Sequence, residues 1–342
     1  MAVPAGVRDG GGMRVKKAVV VITGASSGIG RATALAFADK GARLVLAARS
    51  AAALESLAHE VKRRGGRAIA VPTDVTDAGS VEALAARAEK EFGRLDVWVN
   101  NAAVGVYGRV ADIPLADIRR VLDVNIGGYV NGARAALPRF RTQGAGVLIN
   151  VGSIVGEVSQ PYAAAYSMSK AAVGALSVSI RSELRLDGIR KVKVCTVLPA
   201  AIDTPFFQHA ANYTGRKVLA LPPVYTPERV AGTIVSLASR PRREAVVGPA
   251  GRVLVLQHKV MPAKVEAAMA AHVDKTHLSR KKPAAASTGT LYEPSGHSRK
   301  ASVSGGWQGR RRTARRRMVA AGTLAGAAVV LWSRKQPRHP AA

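Results

Sequence analysis

The chain has 342 residues, of which 48% are hydrophobic, 4% aromatic and 21% charged. That length allows one large domain or two ordinary ones, and the apolar share excludes a chain too polar to bury a core. A formal net charge of +29 points to an anionic partner, and the single cysteine, Cys195, excludes an internal disulfide.

Residues 1–14 read as a flexible N-terminus without the apolar core of a secretory signal, and Met13 offers a second candidate start. From about residue 16, short apolar runs alternate with helical patterns. AVVVITG comes first and leads directly into the loop Thr23–Gly30, TGASSGIG, and the helical RATALAFADKG. Gly24, Gly28 and Gly30 are spaced G-x-x-x-G-x-G between a strand and a helix, where glycine lets a backbone approach a diphosphate at the helix N-terminus. The second run ends LVLAARS. Ala48 stands where a carboxylate would bind a ribose 2′-hydroxyl, and Arg49 follows with a forked donor suited to a 2′-phosphate. The spacing therefore favours NADP(H) over NAD(H).

The third run, RAIAVPT, ends at Asp74, within reach of an adenine edge, whereas Asp77 reads as an N-cap. The fourth, LDVWVNN, opens the small-residue stretch Asn100–Ala103. The fifth, GVLINVG, ends at Ser153. In the following helical pattern Tyr166 and Lys170 share one face by their i,i+4 spacing. A neighbouring ammonium favours a phenolate, so the pair suits proton transfer. Cys195, in KVKVCTVLP, reads as a buried strand residue. A seventh run lies near EAVVG, Glu244–Gly248. Near-continuous apolar strands alternating with helices predict a parallel sheet with helices on both faces, the α/β class.

The tail is different. From Asp274 onward fifteen Lys/Arg face only Asp274 and Glu293, a net of +13. We expect a catalytic domain over 15–260, a partly helical extension over 261–279, and a disordered basic linker over 280–317 rich in Pro, Ser and Gly. An apolar membrane-associating segment is expected over 318–332, then a basic tail over 333–342. The run Met318–Trp332 is short for a full span, so spanning and lying in the interface both stand. Anionic lipid suits arginines abutting an apolar run better than nucleic acid does, and no specific nucleic acid is expected. The predicted location is cytoplasmic, with membrane attachment through this segment. No His/Cys/carboxylate cluster has metal-ligand spacing, so no metal is expected.

Taken together, Thr23–Gly30, Asn100–Ala103, Asn125, Ser153, Tyr166 and Lys170 resemble the short-chain dehydrogenase/reductase family over roughly residues 16–250. The resemblance implies a Rossmann-type, doubly wound, seven-stranded parallel sheet. It implies Tyr166 as acid/base, Lys170 on the nicotinamide ribose and lowering the tyrosine pKa, Ser153 on the substrate oxygen, and Asn125 holding a water in a proton relay. It also implies a cofactor set of Gly24, Ser26, Ser27, Gly28, Ile29, Gly30, Arg49, Asp74, Val75, Asn101, Ala102, Tyr166, Lys170, Pro199, Ile202 and Thr204. Ala103 and Ala200 depart from the family's usual glycines. The segment after Pro199 usually forms the substrate lid. Here it carries Phe206, Phe207, His209, Tyr213, Leu219, Leu221 and Tyr225, which suggests a lipophilic alcohol or carbonyl compound. A homo-oligomer, dimer or tetramer, is expected. The competing reading is a membrane-tethered nucleotide-binding scaffold with little catalysis.

Overall fold

A computed structural model describes residues 13–294 and 301–307. Its centre is one seven-stranded parallel sheet. The strands are β1 (Val19–Thr23), β2 (Arg43–Ala48), β3 (Arg67–Pro72), β4 (Val97–Asn100), β5 (Gly146–Val151), β6 (Val192–Pro199) and β7 (Glu244–Val247). Their spatial order is β7-β6-β5-β4-β1-β2-β3, so the chain reverses direction across the sheet between β1 and β4. In open α/β sheets a ligand crevice lies beyond the carboxyl ends of the strands at such a reversal.

Successive residues of β1 show why the strands read as unbroken apolar runs. Val19 and Val21 enter the core cluster on one face, and Val20 and Ile22 enter the cluster on the other. A strand covered on both faces has no solvent side to mark with polar residues. The first face is covered chiefly by Leu84 and Ala88 of α3 (Ala78–Phe92) and by Ala136 and Phe140 of α5 (Gly128–Gln143). The second is covered by Leu35 of α1 (Gly28–Ala38), Leu54 and Leu57 of α2 (Ala51–Arg63), and Ile234 of the helix Pro227–Ser239. Burying each such side chain contributes about 1.5–3 kcal/mol. Cys195, in β6, is fully buried, and burial pushes its thiol up to about 11.

Asp77 caps α3 by accepting from the Gly79 N–H at 2.9 Å, as its position predicts. Between α4 (Leu115–Leu122) and α5 the helix widens into a π-turn at Asp123–Gly127, which contains Asn125. Helix α6 (Ala164–Leu186) carries Tyr166 and Lys170. After the seventh helix, α7 (Pro227–Ser239), and β7, the chain adds α8 (Pro249–Val260) and α9 (Pro262–Thr276). It then forms a strand, Leu278–Pro283, antiparallel to Arg216–Val218.

Residues to Gly305 form one compact unit, and Gly306 begins a second, of which only Gly306 and Trp307 are described. The partly helical extension expected over 261–279 is thus part of the first unit. The stretch expected as a linker over 280–317 begins with ordered structure. Its described residues, 280–294 and 301–307, include part of a strand, and the Asn212 and Ser287 backbones bond to each other at 2.8 and 3.1 Å. Composition missed this because the segment is held by backbone groups rather than by an apolar face. No helix among the described residues is long and apolar enough to cross a membrane. The segment 318–332 and the tail 333–342 lie outside the described residues.

Candidate active site

A cavity of about 750 Å³ opens along the carboxyl ends of β1, β2, β4, β5 and β6, at the reversal point. Ser153, Tyr166 and Lys170 line it, as do Gly24, Ser26, Ser27, Gly28, Ile29, Arg49, Asp74, Val75, Asn101, Ala102, Pro199, Ile202 and Thr204. Gly30 and Asn125 do not reach its wall.

At one end, the glycine loop feeds α1. Ser27 is the N-cap residue, its side chain makes no capping bond, and no acidic residue sits in the first turn. Such an end presents unsatisfied N–H groups and the positive pole of the helix dipole, the combination that binds an anion. Gly30 serves this loop from behind, because a Cβ there would overlap the Gly24 carbonyl oxygen and crowd the Asn101 amide. Asn101 in turn donates to the Thr23 and Gly24 carbonyls at 2.9 and 3.1 Å, locking the loop to the end of β4. These residues fit a dinucleotide: a glycine-rich cradle, a helix terminus without a side-chain cap and a cleft beside it.

Two of the expected cofactor residues, Arg49 and Asp74, line the cavity but already have partners within the chain. The Arg49 guanidinium is occupied by the chain itself, donating to the Thr290, Leu291 and Tyr292 carbonyls at 2.6, 3.1 and 2.7 Å. Asp74 does line the cleft, but its carboxylate accepts from both Thr76 donors and from Arg120 at 2.9 Å. Although burial opposes it, these bonds hold the Asp74 carboxyl below its usual range. Further along, the Gly28 N–H at the head of α1 donates to the Ser302 carbonyl at 3.0 Å. Asp203 fixes the same stretch by accepting from the Ser304 hydroxyl and the Gly305 N–H. Residues 290–294 and 301–305 thus lie as a strap across the helix terminus and the end of β2. Sequence reading could not find it, since the strap contributes carbonyl oxygens and those carry no side-chain signature.

In the middle of the cavity, Lys170 is 3% exposed, and its ammonium nitrogen donates to the Val151 carbonyl at 2.8 Å and the Tyr129 hydroxyl at 3.2 Å. It lies 5.5 Å from the Tyr166 ring centre. Burial pulls the Lys170 amine down to about 7. Burial likewise holds the Tyr166 phenol well above its ordinary value, with a hydrogen bond to Ser153 opposing this. The expected lowering of the phenol by an adjacent ammonium is therefore outweighed here by desolvation of both groups. Asn125 is fully buried and exchanges bonds with the Val104 backbone, 2.9 Å each way, while donating to Ser169 at 3.0 Å. With its amide so engaged, Asn125 fixes the loop after β4 to α6.

The far end is apolar. Phe206, Phe207 and Leu221 from the expected lid line it, as does His209. Val158, Leu254 of α8 and Met269 of α9 complete it, none of which the sequence singled out. Tyr213, Leu219 and Tyr225 do not line it. The Tyr213 hydroxyl instead donates to Asp117, the Leu219 N–H bonds the His277 carbonyl, and Tyr225 packs against the core beneath β7.

A doubly wound sheet, a glycine-rich loop at a helix terminus and a buried Tyr-x-x-x-Lys pair beside a serine define a class: oxidoreductases built on a dinucleotide-binding fold. The short chain dehydrogenase family matches residues 18–213, and the chain belongs to that family. It is 39% identical over 251 residues to an uncharacterized oxidoreductase, YxnA, of Bacillus subtilis, covering 73% of this chain and 70% of that one. It is 38% identical to a probable oxidoreductase, EphD, of Mycobacterium tuberculosis, of which it spans 43%. Among solved structures it resembles a short chain dehydrogenase/reductase from Burkholderia phymatum in complex with NAD, with 28% identity and a TM-score of 0.67. That match covers 73% of this chain and 96% of the other. It also resembles an alcohol dehydrogenase from Thermococcus sibiricus complexed with 5-hydroxy-NADP, with 30% identity and a TM-score of 0.58, over 67% and 94% of the two chains. The protein is an oxidoreductase of the short-chain dehydrogenase type, a family that binds nicotinamide cofactors.

Proposed function

We propose that this oxidoreductase uses NADP(H) to interconvert a secondary alcohol and a carbonyl on a small lipophilic substrate, with Tyr166 as the acid/base. The observation that carries this reading is the position of Tyr166, where the loop-lined end of one cavity meets its apolar end. A bound nicotinamide supplies or accepts the hydride. Tyr166 donates its proton to the carbonyl oxygen during reduction and takes one from the hydroxyl during oxidation. Ser153 holds the same oxygen, and Lys170 binds ribose hydroxyls while fixing the direction of the phenol. The aromatic pair Tyr166–Phe206, with ring centres 5.1 Å apart, shields the reacting oxygen from water.

The NADP(H) preference rests on Ala48 and Arg49, and Arg49 must exchange its three carbonyl partners for the 2′-phosphate. The presence of Ser153, Tyr166 and Lys170 around one cavity speaks against a tethered scaffold without catalysis. The segment 318–332 plays no part in this reading.

The test is consumption of NADPH and NADH against a panel of lipophilic ketones, with Tyr166→Phe as the comparison. The phenylalanine keeps the ring packing and removes the proton donor, so turnover should fall by about 10²–10⁴-fold while NADPH binding persists. Near-normal turnover by the variant would falsify the role of Tyr166. Equal affinity of the wild type for NADH and NADPH would remove the cofactor preference.

A further inference from the structure

One buried polar group at the apolar end of the cavity has no task in the chemistry above. His277 follows directly after α9 and precedes the strand Leu278–Pro283. Its backbone is held from both sides: its N–H donates to the Val273 carbonyl at 2.9 Å, and its carbonyl accepts from the Leu219 N–H at 2.8 Å. The residue is 1% exposed and borders the cavity. Its ring stands edge-on to Tyr107, with centres 5.1 Å apart, and to Phe207, at 5.7 Å. Among the described residues neither ring nitrogen makes a hydrogen bond of good geometry, although the Leu219 backbone lies near enough to favour the protonated ring slightly against burial.

An imidazole buried among aromatic rings without a well-formed hydrogen bond leaves the desolvation of its polar atoms largely uncompensated. A leucine at the same place would fill the space without that cost. The backbone anchors above explain why residue 277 is buried, but they do not explain why it is histidine. The ring is also linked to the reacting centre through one aromatic wall. Tyr166 meets Phe206 at 5.1 Å, Phe206 meets Phe207 at 5.8 Å, and Phe207 meets His277. An apolar molecule lying along that wall with its carbonyl at Tyr166 directs its far end toward His277.

We propose that His277 hydrogen-bonds a second, neutral oxygen, a hydroxyl or a carbonyl, at the end of an apolar substrate remote from the reacting carbonyl. This rests on the oxidoreductase reading above and adds to it the substrate class: apolar molecules oxygenated at both ends. Phe207, on the one-turn helix Phe206–His209, is the side chain that turns aside to admit the oxygen. Burial lowers the His277 imidazole to about 4, so at neutral pH the ring offers one N–H and one lone pair. A neutral ring suits a hydroxyl or a keto group and gives no ionic reward to a carboxylate. Tyr107 is the titratable side chain whose ring contacts it, and burial keeps that phenol protonated.

The test uses straight-chain methyl ketones and their terminally hydroxylated counterparts of equal length, on the full chain, as wild type, His277→Leu and His277→Asn. Turnover is measured for each, and ligand binding is measured separately by calorimetry in the Tyr166→Phe variant with and without His277→Leu. We expect the wild type to prefer the hydroxy ketones. His277→Leu should lower kcat/KM for them by about 10–100-fold and leave the plain ketones within about threefold. His277→Asn, which keeps a donor and an acceptor, should recover part of the loss. Equal losses on both series would mean that His277 only supports the fold, and no loss on either would mean that it touches no substrate. Either result overturns the subsite and leaves the oxidoreductase reading standing. If no ketone turns over yet the hydroxy ketones bind in a His277-dependent way, the subsite stands and the reaction assigned to Tyr166 fails. Absence of both turnover and binding overturns both.

Discussion

The region from β1 to β6 and the region after β7 handle backbone polarity in opposite ways. In the first, N–H and C=O groups pair with one another along a parallel ladder, and side chains decide everything else. In the second, the backbone itself is the ligand: the carbonyls of Thr290, Leu291, Tyr292 and Ser302 satisfy Arg49 and the head of α1. The first kind of order is set by side-chain pattern and tolerates drift in the loops. The second depends on a few backbone positions and should respond to single substitutions that leave the core untouched.

Two glycines, one from each region, sharpen that contrast. Gly30 backs the cofactor cradle, and a methyl group there would overlap the Gly24 carbonyl oxygen. Gly30→Ala should therefore displace the loop and weaken NADPH binding by roughly 10–100-fold, the equivalent of about 1–3 kcal/mol of overpacking. Calorimetric titration with NADPH measures it, and unchanged affinity would mean that the loop does not hold the cofactor. Gly289 leads directly into the strap at φ +52, and a Cβ there would collide with the His209 carbonyl. Gly289→Val should lift the strap, free Arg49 and improve NADPH affinity by about three- to tenfold. The two substitutions thus push the same titration in opposite directions. If Gly289→Val weakens NADPH instead, the strap covers the bound cofactor rather than competing with it.

A third effect, on the pH dependence of stability, belongs to the core alone. Folding lowers Lys170 from 10.5 to about 7, so between those values the unfolded chain binds a proton that the folded chain lacks. Stability rises with pH wherever the unfolded state binds more protons. Raising the pH through that window should therefore favour the wild type relative to Lys170→Met, by a few kcal/mol at most. Denaturant melts of the two proteins at pH 7 and pH 10 read the difference. A gap that does not change with pH would mean that Lys170 keeps its proton in the folded state.

The same contrast explains what could be read from the sequence. All seven strands were visible as apolar runs, because burial on both faces leaves a continuous hydrophobic signature. The glycine loop and the Tyr166–Lys170 spacing were visible because each constrains residue type at fixed intervals. The lid was only half visible. Phe206 and Phe207 line the cavity, whereas Tyr213 and Tyr225 turn to Asp117 and to the core, since an aromatic residue reads alike in either place. His277 was passed over because a single histidine at a helix end has no pattern around it. The strap read as a linker because Pro, Ser and Gly report a lack of apolar side chains and say nothing of carbonyls meeting a guanidinium.

The bond from Gly28 to Ser302 also bears on how the affinity of this protein for its cofactor is to be understood. Because the competing oxygen is tethered to the same chain, its local concentration does not depend on that of the protein. Dilution, dialysis and gel filtration leave it in place. A dinucleotide that requires the head of α1 meets an apparent dissociation constant equal to the intrinsic one multiplied by one plus the odds that the strap is docked. Those odds can be tuned by changes in the residues that anchor the strap, such as Asp203, which hold it without being part of the glycine loop.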